Sequence, residues 1–284
     1  MKQKAAFSII HEDRHILAVN KAVGVAVGGD RWDEGKERLD RLLEAFLTGR
    51  NNEGNERIYT VHRIDRDTSG IVVFAKDGET HRRLSGAFES REVYKRYIAV
   101  ICGRPLWKEE TCDLPLFPNG NKKHLTIIDR YQGKKSLTRF RLLGSAGNYS
   151  VVEAFPETGR THQIRVHLAA LGYPVASDPL YGNGKPVFLS SIKQGWRGDP
   201  YSERPLLERP GLHAAELILP VSGSNTADHV RGEDGPENSI EHKTKLYAET
   251  LRLSAPLSRD LSALIKQMGK CGGFNVQLPA IQVR

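Results

Sequence analysis

Apolar and polar positions follow two different periods along this chain. "IVVFAK" (71–76) is a near-continuous apolar run, as expected of a central strand buried on both faces. "HILAVN" (15–20), "VYKRYIAVICG" (93–103), "LHAAELILP" (212–220) and "LYAETLRLSAP" (246–256) read as further strands. "LTRFRLLG" (137–144) and "YSVVEAF" (149–155) read as a strand pair turned by "SAGN" (145–148). Helical spacing replaces this pattern over 37–50, where Leu39, Leu42, Leu43, Phe46 and Leu47 share a face and Gly49 can stop the helix. Residues 78–91 predict a helix carrying Leu84, Ala87 and Phe88, and 257–269 one carrying Leu257, Leu261, Leu264, Ile265 and Met268. "THQIRVHLAALG" (161–172) predicts another, with Thr161 able to cap its start and Gly172 its end.

Strands and helices mix here without a regular βαβ alternation. That favours an α+β fold, a mixed and largely antiparallel sheet flanked by helices. We expect one domain over residues 1–284. Residues 222–245 hold only Ala227, Val230 and Ile240 as apolar positions, so they read as a long polar hairpin insertion, partly disordered. No apolar run approaches the ~20 residues needed to span a bilayer, and the N-terminus lacks the apolar core of a secretory signal, so the expected setting is the cytoplasm. Cys102, Cys112 and Cys271 are far apart and form no CxxC pair, which suggests neither a disulfide framework nor a metal site. The formal net charge is +8 and its distribution is uneven. Residues 119–141 hold seven Lys or Arg against the single acid Asp129. Such a segment can track a phosphate backbone or simply solubilise a surface.

Three stretches could carry chemistry. "HRIDRDTSG" (62–70) packs charges against the start of a buried strand, which places Asp65 at the lip of the sheet. Arginines within about 4–6 Å would favour its ionised form, suited to nucleophilic or base work. A solvated Arg/Asp loop has the same local look. In "ETGRTHQIRVHLAALG" (157–172), Arg165 on the first turns of a helix can pair with a carboxylate or a phosphate, whereas His162 and His167 diverge and make a poor zinc pair. In "YKRYIAV" (94–100), Tyr94 and Tyr97 face opposite sides of a strand, so one can be core and the other line a cleft.

In combination these stretches resemble the RluA family of RNA pseudouridine synthases. "HRIDRDTSG" is similar to that family's catalytic motif, and "GRTHQIRVHLAALGYPVASDPLYG" (159–182) to its second signature. "KRYIAVICG", "LHAAELILP", "EDRHILAVNKAVG" and "APLSRDL" resemble its remaining landmarks, and the resemblance runs from about residue 8 to 268. Ala22 and Ser177 depart from its usual proline and glycine. The resemblance implies the pseudouridine synthase fold with a central cleft, standing alone without the family's small N-terminal RNA-binding domain.

It also implies that Asp65 attacks or deprotonates a target uridine, that Arg165 pairs with and holds it, and that Tyr97 stacks on the base and takes the carbon-5 proton. Arg63 would fill the space a flipped nucleotide vacates. His62, Arg66, Arg160 and His162, with Lys122, Lys123, Lys134 and Lys135, would contact RNA. The expected partner is a stem-loop of ribosomal or transfer RNA. No cofactor, metal, membrane or obligatory protein partner is implied, and the chain is expected to be a monomer. Two rivals stand beside this reading. One is a catalytically inactive RNA-binding protein on the same fold. The other is a nucleotide or sugar hydrolase that uses Asp65 with Asp67 as a carboxylate pair.

Overall fold

The computed structural model describes residues 5–29, 37–51, 57–119, 125–220 and 250–276. Residues 222–245 and Lys122 and Lys123, singled out above, lie outside them. Twelve strands appear among the described residues. They are β1 (Phe7–Glu12), β2 (Ile16–Lys21), β3 (Tyr59–Thr60), β4 (Ser69–Ala75), β5 (Tyr94–Cys102), β6 (Glu109–Cys112), β7 (Leu116–Asn119), β8 (Leu125–Ile128), β9 (Thr138–Ala146), β10 (Tyr149–Pro156), β11 (Leu212–Pro220) and β12 (Thr250–Ser254). Four helices accompany them: α1 (Leu39–Asn51), α2 (Gly78–Glu89), α3 (Gln163–Ala170) and α4 (Arg259–Gly272). A ten-stranded sheet runs in the order β1-β2-β4-β11-β5-β10-β9-β6, with β12 added to β11 and β3 to β4, and β7 and β8 form a separate hairpin.

All pairings among these strands are antiparallel except one. β4 and β11 run parallel and touch only at His213↔Ser69 and Ala214↔Gly70. Beyond that contact each takes another partner, β3 for β4 and β12 for β11, so the sheet forks. Gly70 makes the junction possible. Its φ is +118°, and a Cβ there would lie 2.2 Å from the Ala214 carbonyl oxygen. Only a residue without a side chain fits. Beside it, Ser69 Oγ and His213 Nδ1 are hydrogen-bonded at 2.9 Å, both buried.

Strand alternation then decides which side chains meet which helix. On β5, Ile98 and Val100 pack toward Leu261, Leu264, Ile265 and Met268 of α4. Ala99 and Ile101 pack toward Ile164 and Leu168 of α3. Tyr97 shares the α3 side, whereas Tyr94 is buried and packs against Phe155. α1 buries Leu39, Leu43 and Leu47 over Leu17, Val19, Val72 and Phe74. α2 buries Leu84 and Ala87 near Ile71, Val73 and Leu217.

The helix 161–172 starts later than its sequence suggested. Thr161 does not cap it. His162 occupies the cap position with φ 56° and no side-chain capping bond. The turn is instead closed by Gln163, whose Oε1 accepts from the Arg160 N–H at 3.0 Å and the Thr158 hydroxyl at 2.7 Å. The turn between β9 and β10 is also tighter than "SAGN", because the strands continue to Ala146 and from Tyr149.

Candidate active site

The loop carrying Asp65 is fixed from beneath. Ile64 and Thr68 are buried, and the Thr68 N–H closes a turn on the Asp65 carbonyl at 3.1 Å. The neighbouring Arg66 carbonyl accepts from Lys21 Nζ at 3.0 Å and from the Gly24 N–H at 2.9 Å. Lys21 is fully buried and donates to the Ala22 and Val25 carbonyls as well. Burial pulls its pKa down to about 7, while the charges of Asp67 and Asp65 pull it back up.

The first turn of α3 supplies Arg165. Its guanidinium donates from Nε and Nη2 to both oxygens of Asp178, at 2.7 and 2.8 Å. Its third nitrogen, Nη1, reaches Asp65 Oδ2 at 3.3 Å. Asp178 is fully buried and also accepts from the Leu180 and Tyr181 N–H groups at 2.9 and 3.2 Å. Burial opposes the charge on both partners, but their mutual bonds outweigh it. The carboxyl of Asp178 is held below its usual range and the pKa of Arg165 is raised. One face of the fork is thus locked, and the other presents a fixed cation to Asp65.

His162 stands on the same side, its Nε2 3.9 Å from Asp65 Oδ2. Its Nδ1 is bonded to the Tyr181 hydroxyl at 2.8 Å, and that oxygen accepts from the Thr126 N–H at 2.8 Å. In the tautomer where the phenol donates to Nδ1, the imidazole proton sits on Nε2, the nitrogen nearer Asp65. Burial holds His162 below its usual pKa, which favours this neutral form.

Around Asp65 opens a cleft of about 550 Å³. Its walls are the 61–65 segment, Ser85 and Phe88 of α2 with Arg91 just after it, Lys95 and Tyr97 of β5, Pro156, and 158–165. Tyr97 is half-buried, and burial and the charge of Asp65 both raise its pKa, so it is a neutral phenol. His62 stacks on Phe88 with ring centroids 4.5 Å apart, and its Nε2 accepts from the Val73 N–H at 3.0 Å. Burial, with a smaller contribution from Lys95, lowers its pKa to about 3, so it brings no positive charge to the cleft at neutral pH.

Of the residues singled out in the sequence, Asp65, Tyr97, Arg165, His62, Arg63, Arg160 and His162 converge on this cleft. Arg66 does not, because its Nε is spent on the Gly24 carbonyl at 2.8 Å. Lys134 and Lys135 lie on a neighbouring turn, tied to the cleft where Arg160 Nε donates to the Lys135 carbonyl at 3.4 Å. Asp67 is exposed and lines no part of the cleft. Sequence reasoning did not single out Lys21, Asp178 or Tyr181. Each sits within a quoted stretch, but its role depends on contacts with distant segments. Among the described residues no three His, Cys, Asp or Glu side chains converge on a point that could hold a metal.

The arrangement is an oriented carboxylate beside a locked guanidinium, in a cleft wide enough for a planar ring and rimmed with cations. Residues 15–170 match the profile of the RNA pseudouridylate synthase family. The ribosomal large subunit pseudouridine synthase D of Zymomonas mobilis is 33% identical over 227 residues, 78% of this chain and 68% of that protein. The ribosomal large subunit pseudouridine synthase C of Vibrio cholerae is 36% identical over 236 residues, 82% of this chain and 68% of that protein. In fold the chain is similar to human RNA pseudouridylate synthase domain containing 4, with TM-score 0.63 and 21% identity over 92% of both chains. It is also similar to human RNA pseudouridylate synthase domain containing 1, with TM-score 0.57 and 25% identity over 94% of this chain and 97% of that one.

Proposed function

This chain belongs to the RNA pseudouridylate synthase family and is an RNA pseudouridine synthase, and we propose that it isomerises specific uridines in structured ribosomal or transfer RNA through Asp65. The observation that carries this reading is the Asp65 carboxylate in the cleft, 3.3 Å from an Arg165 that Asp178 locks in place. A locked cation removes the freedom a catalytic carboxylate would otherwise lose on reaching its geometry.

Uridine and pseudouridine are isomers. The bond from N1 to C1′ breaks, the base turns, C5 bonds to C1′, and the proton lost from C5 is balanced by one gained at N1. Asp65 starts this by attacking or deprotonating the target nucleoside. Tyr97 stacks on the base and receives the C5 proton at its hydroxyl oxygen. As a neutral phenol it releases its own O–H proton to water in the same step, and water returns a proton to N1, so the exchange balances. The base reaches the cleft by leaving its stack, which costs a few kcal/mol, and Arg63 fills the space left behind.

Arg160, Lys134 and Lys135 hold the strand, and the relatives' names point to large-subunit ribosomal RNA as the first substrate to try. The working unit we propose is a cytoplasmic monomer of one domain. The test is single-turnover pseudouridine formation by wild type and Asp65→Asn, with RNA affinity measured alongside. Asparagine keeps the shape and removes the charge. The rate should fall by more than about a hundredfold, ~2.7 kcal/mol, with affinity retained. A variant that keeps more than about a hundredth of the rate overturns the assignment of Asp65.

A further inference from the structure

Three non-glycine residues among those described adopt positive φ: Arg91 (63°), His162 (56°) and Ser177 (59°). All three are at the candidate site. His162 and Arg91 line the cleft, and Ser177 immediately precedes Asp178. Such conformations cost free energy in any residue with a Cβ, and they persist where the surrounding structure enforces them. Two have a reason already described. The turn at His162 brings its imidazole to Asp65, and the turn at Ser177 delivers Asp178 to Arg165.

Arg91 has no such reason. It follows α2, where its N–H bonds to the Phe88 carbonyl at 3.3 Å and the Glu92 N–H to the Ala87 carbonyl at 2.9 Å. Glycine is the usual residue at this position of a helix terminus. The chain places an arginine there instead, and its side chain is exposed. Two other cations of the walls already have backbone partners. Lys95 Nζ lies 3.5 Å from the Glu157 and Thr158 carbonyls, and Arg160 reaches the Lys135 carbonyl. Among the described residues the Arg91 guanidinium makes no ion pair and no hydrogen bond, even with Glu89 on the same wall. A cation near a helix C-terminus is mildly favourable, but one placed a turn earlier would gain the same without a positive φ.

We propose that Arg91 is a substrate-binding residue that grips a backbone phosphate of the RNA at the mouth of the cleft, next to the target nucleotide. The inference rests on the uridine-isomerising reading above. A guanidinium presents two parallel donors to a phosphate, a geometry an ammonium lacks. A nucleotide turned out of its stack needs its flanking phosphates held. The α2 residues of the lining, Ser85, Phe88 and Glu89, bring no cation.

The experiment compares wild type with Arg91→Gly, Arg91→Ala and Arg91→Lys. Thermal unfolding and affinity for a uridine-containing RNA stem-loop are measured from low to moderate salt. Arg91→Gly should unfold at or above the wild-type temperature, since glycine accepts this φ freely. Its affinity should nonetheless fall several-fold, and the slope of log affinity against log salt should shrink by about 0.7–0.9, the share of one phosphate contact. Arg91→Ala should lose the same affinity without the gain in unfolding temperature. Arg91→Lys should keep most of the salt slope but lose part of the affinity. Wild-type affinity and slope in both Arg91→Gly and Arg91→Ala overturn the proposal. Pseudouridine formation by wild type, measured on the same RNA, separates that outcome from failure of the broader reading, in which wild type forms none.

Discussion

Lys21 is fully buried, yet its Nζ lies within 3.0 Å of three backbone carbonyls, those of Ala22, Val25 and Arg66. An ammonium has three protons to give, so the match is complete. Lys21→Met would keep the stem and leave three inward-facing carbonyls without a donor. Removing one partner of a buried hydrogen bond exposes the full desolvation cost of the other. We expect a loss on the order of 3 kcal/mol in urea unfolding, and a slower enzyme because the Arg66 carbonyl adjoins Asp65. An unchanged denaturation midpoint would show that those carbonyls find water. Arg165 and Asp178 make a different case, a buried ion pair with every oxygen and nitrogen of the fork engaged. Asp178→Asn keeps the shape but leaves a buried guanidinium short of a countercharge, which costs roughly 3–5 kcal/mol. Loss of stability together with loss of pseudouridine formation is the expected pattern. A variant as stable as wild type would mean that Asp65 alone neutralises Arg165.

At the scale of elements, the fork between β4 and β11 joins the Asp65 loop to the rest of the sheet. It rests on two residue pairs and the Ser69–His213 bond, whose partners are 144 positions apart in sequence. Gly70→Ala would drive a Cβ into the Ala214 backbone at a φ that alanine resists. We expect a loss on the order of 4 kcal/mol, or no soluble protein, seen as a drop in unfolding temperature. Gly70→Ser should do no better, because the clash is with the Cβ itself. The fork also shows where sequence reading stops. β4 was legible because all seven of its residues are buried and its apolar run is unbroken. α1, α2 and α4 were legible from the 3–4 spacing of their apolar residues. The short strands β3, β6, β7 and β8 were not, since two to four residues carry no period. β1 was missed because none of its residues is fully buried. Asp65, Tyr97 and Arg165 were picked out by the resemblance of their motifs. The brace at Asp178 was not, since a carboxylate in "SDPLYG" reads as a turn residue until the Arg165 fork is seen to meet it.

For the molecule as a whole, acid should be the revealing stress. Burial lowers the pKa of His62 to about 3 and of His213 to about 4, and it lowers His162 and His167 as well. Each is neutral in the fold and takes up a proton near pH 6.5 once unfolded. Between that pH and the depressed folded value, the unfolded chain therefore holds more protons. Stability must rise with pH across that window and fall as the solution is acidified from about 6.5 toward 4. Each such histidine contributes a slope of up to about 1.4 kcal/mol per pH unit. The net charge of +8 grows as carboxylates are protonated, and self-repulsion then acts in the same direction. A single pH series therefore cannot assign the effect to one group. His62→Gln separates them. Glutamine can still accept from the Val73 N–H through its side-chain oxygen, but it does not titrate. Urea unfolding of both proteins between pH 7.5 and 4.5 should give a steep acid limb for wild type. For the variant the limb should be shallower by close to one proton, with the two curves converging in slope above pH 7. Parallel acid limbs would mean that the His62 ring takes up its proton in the fold at the same pH as in the unfolded chain, and that its stacking on Phe88 and its bond from Val73 do not hold it neutral.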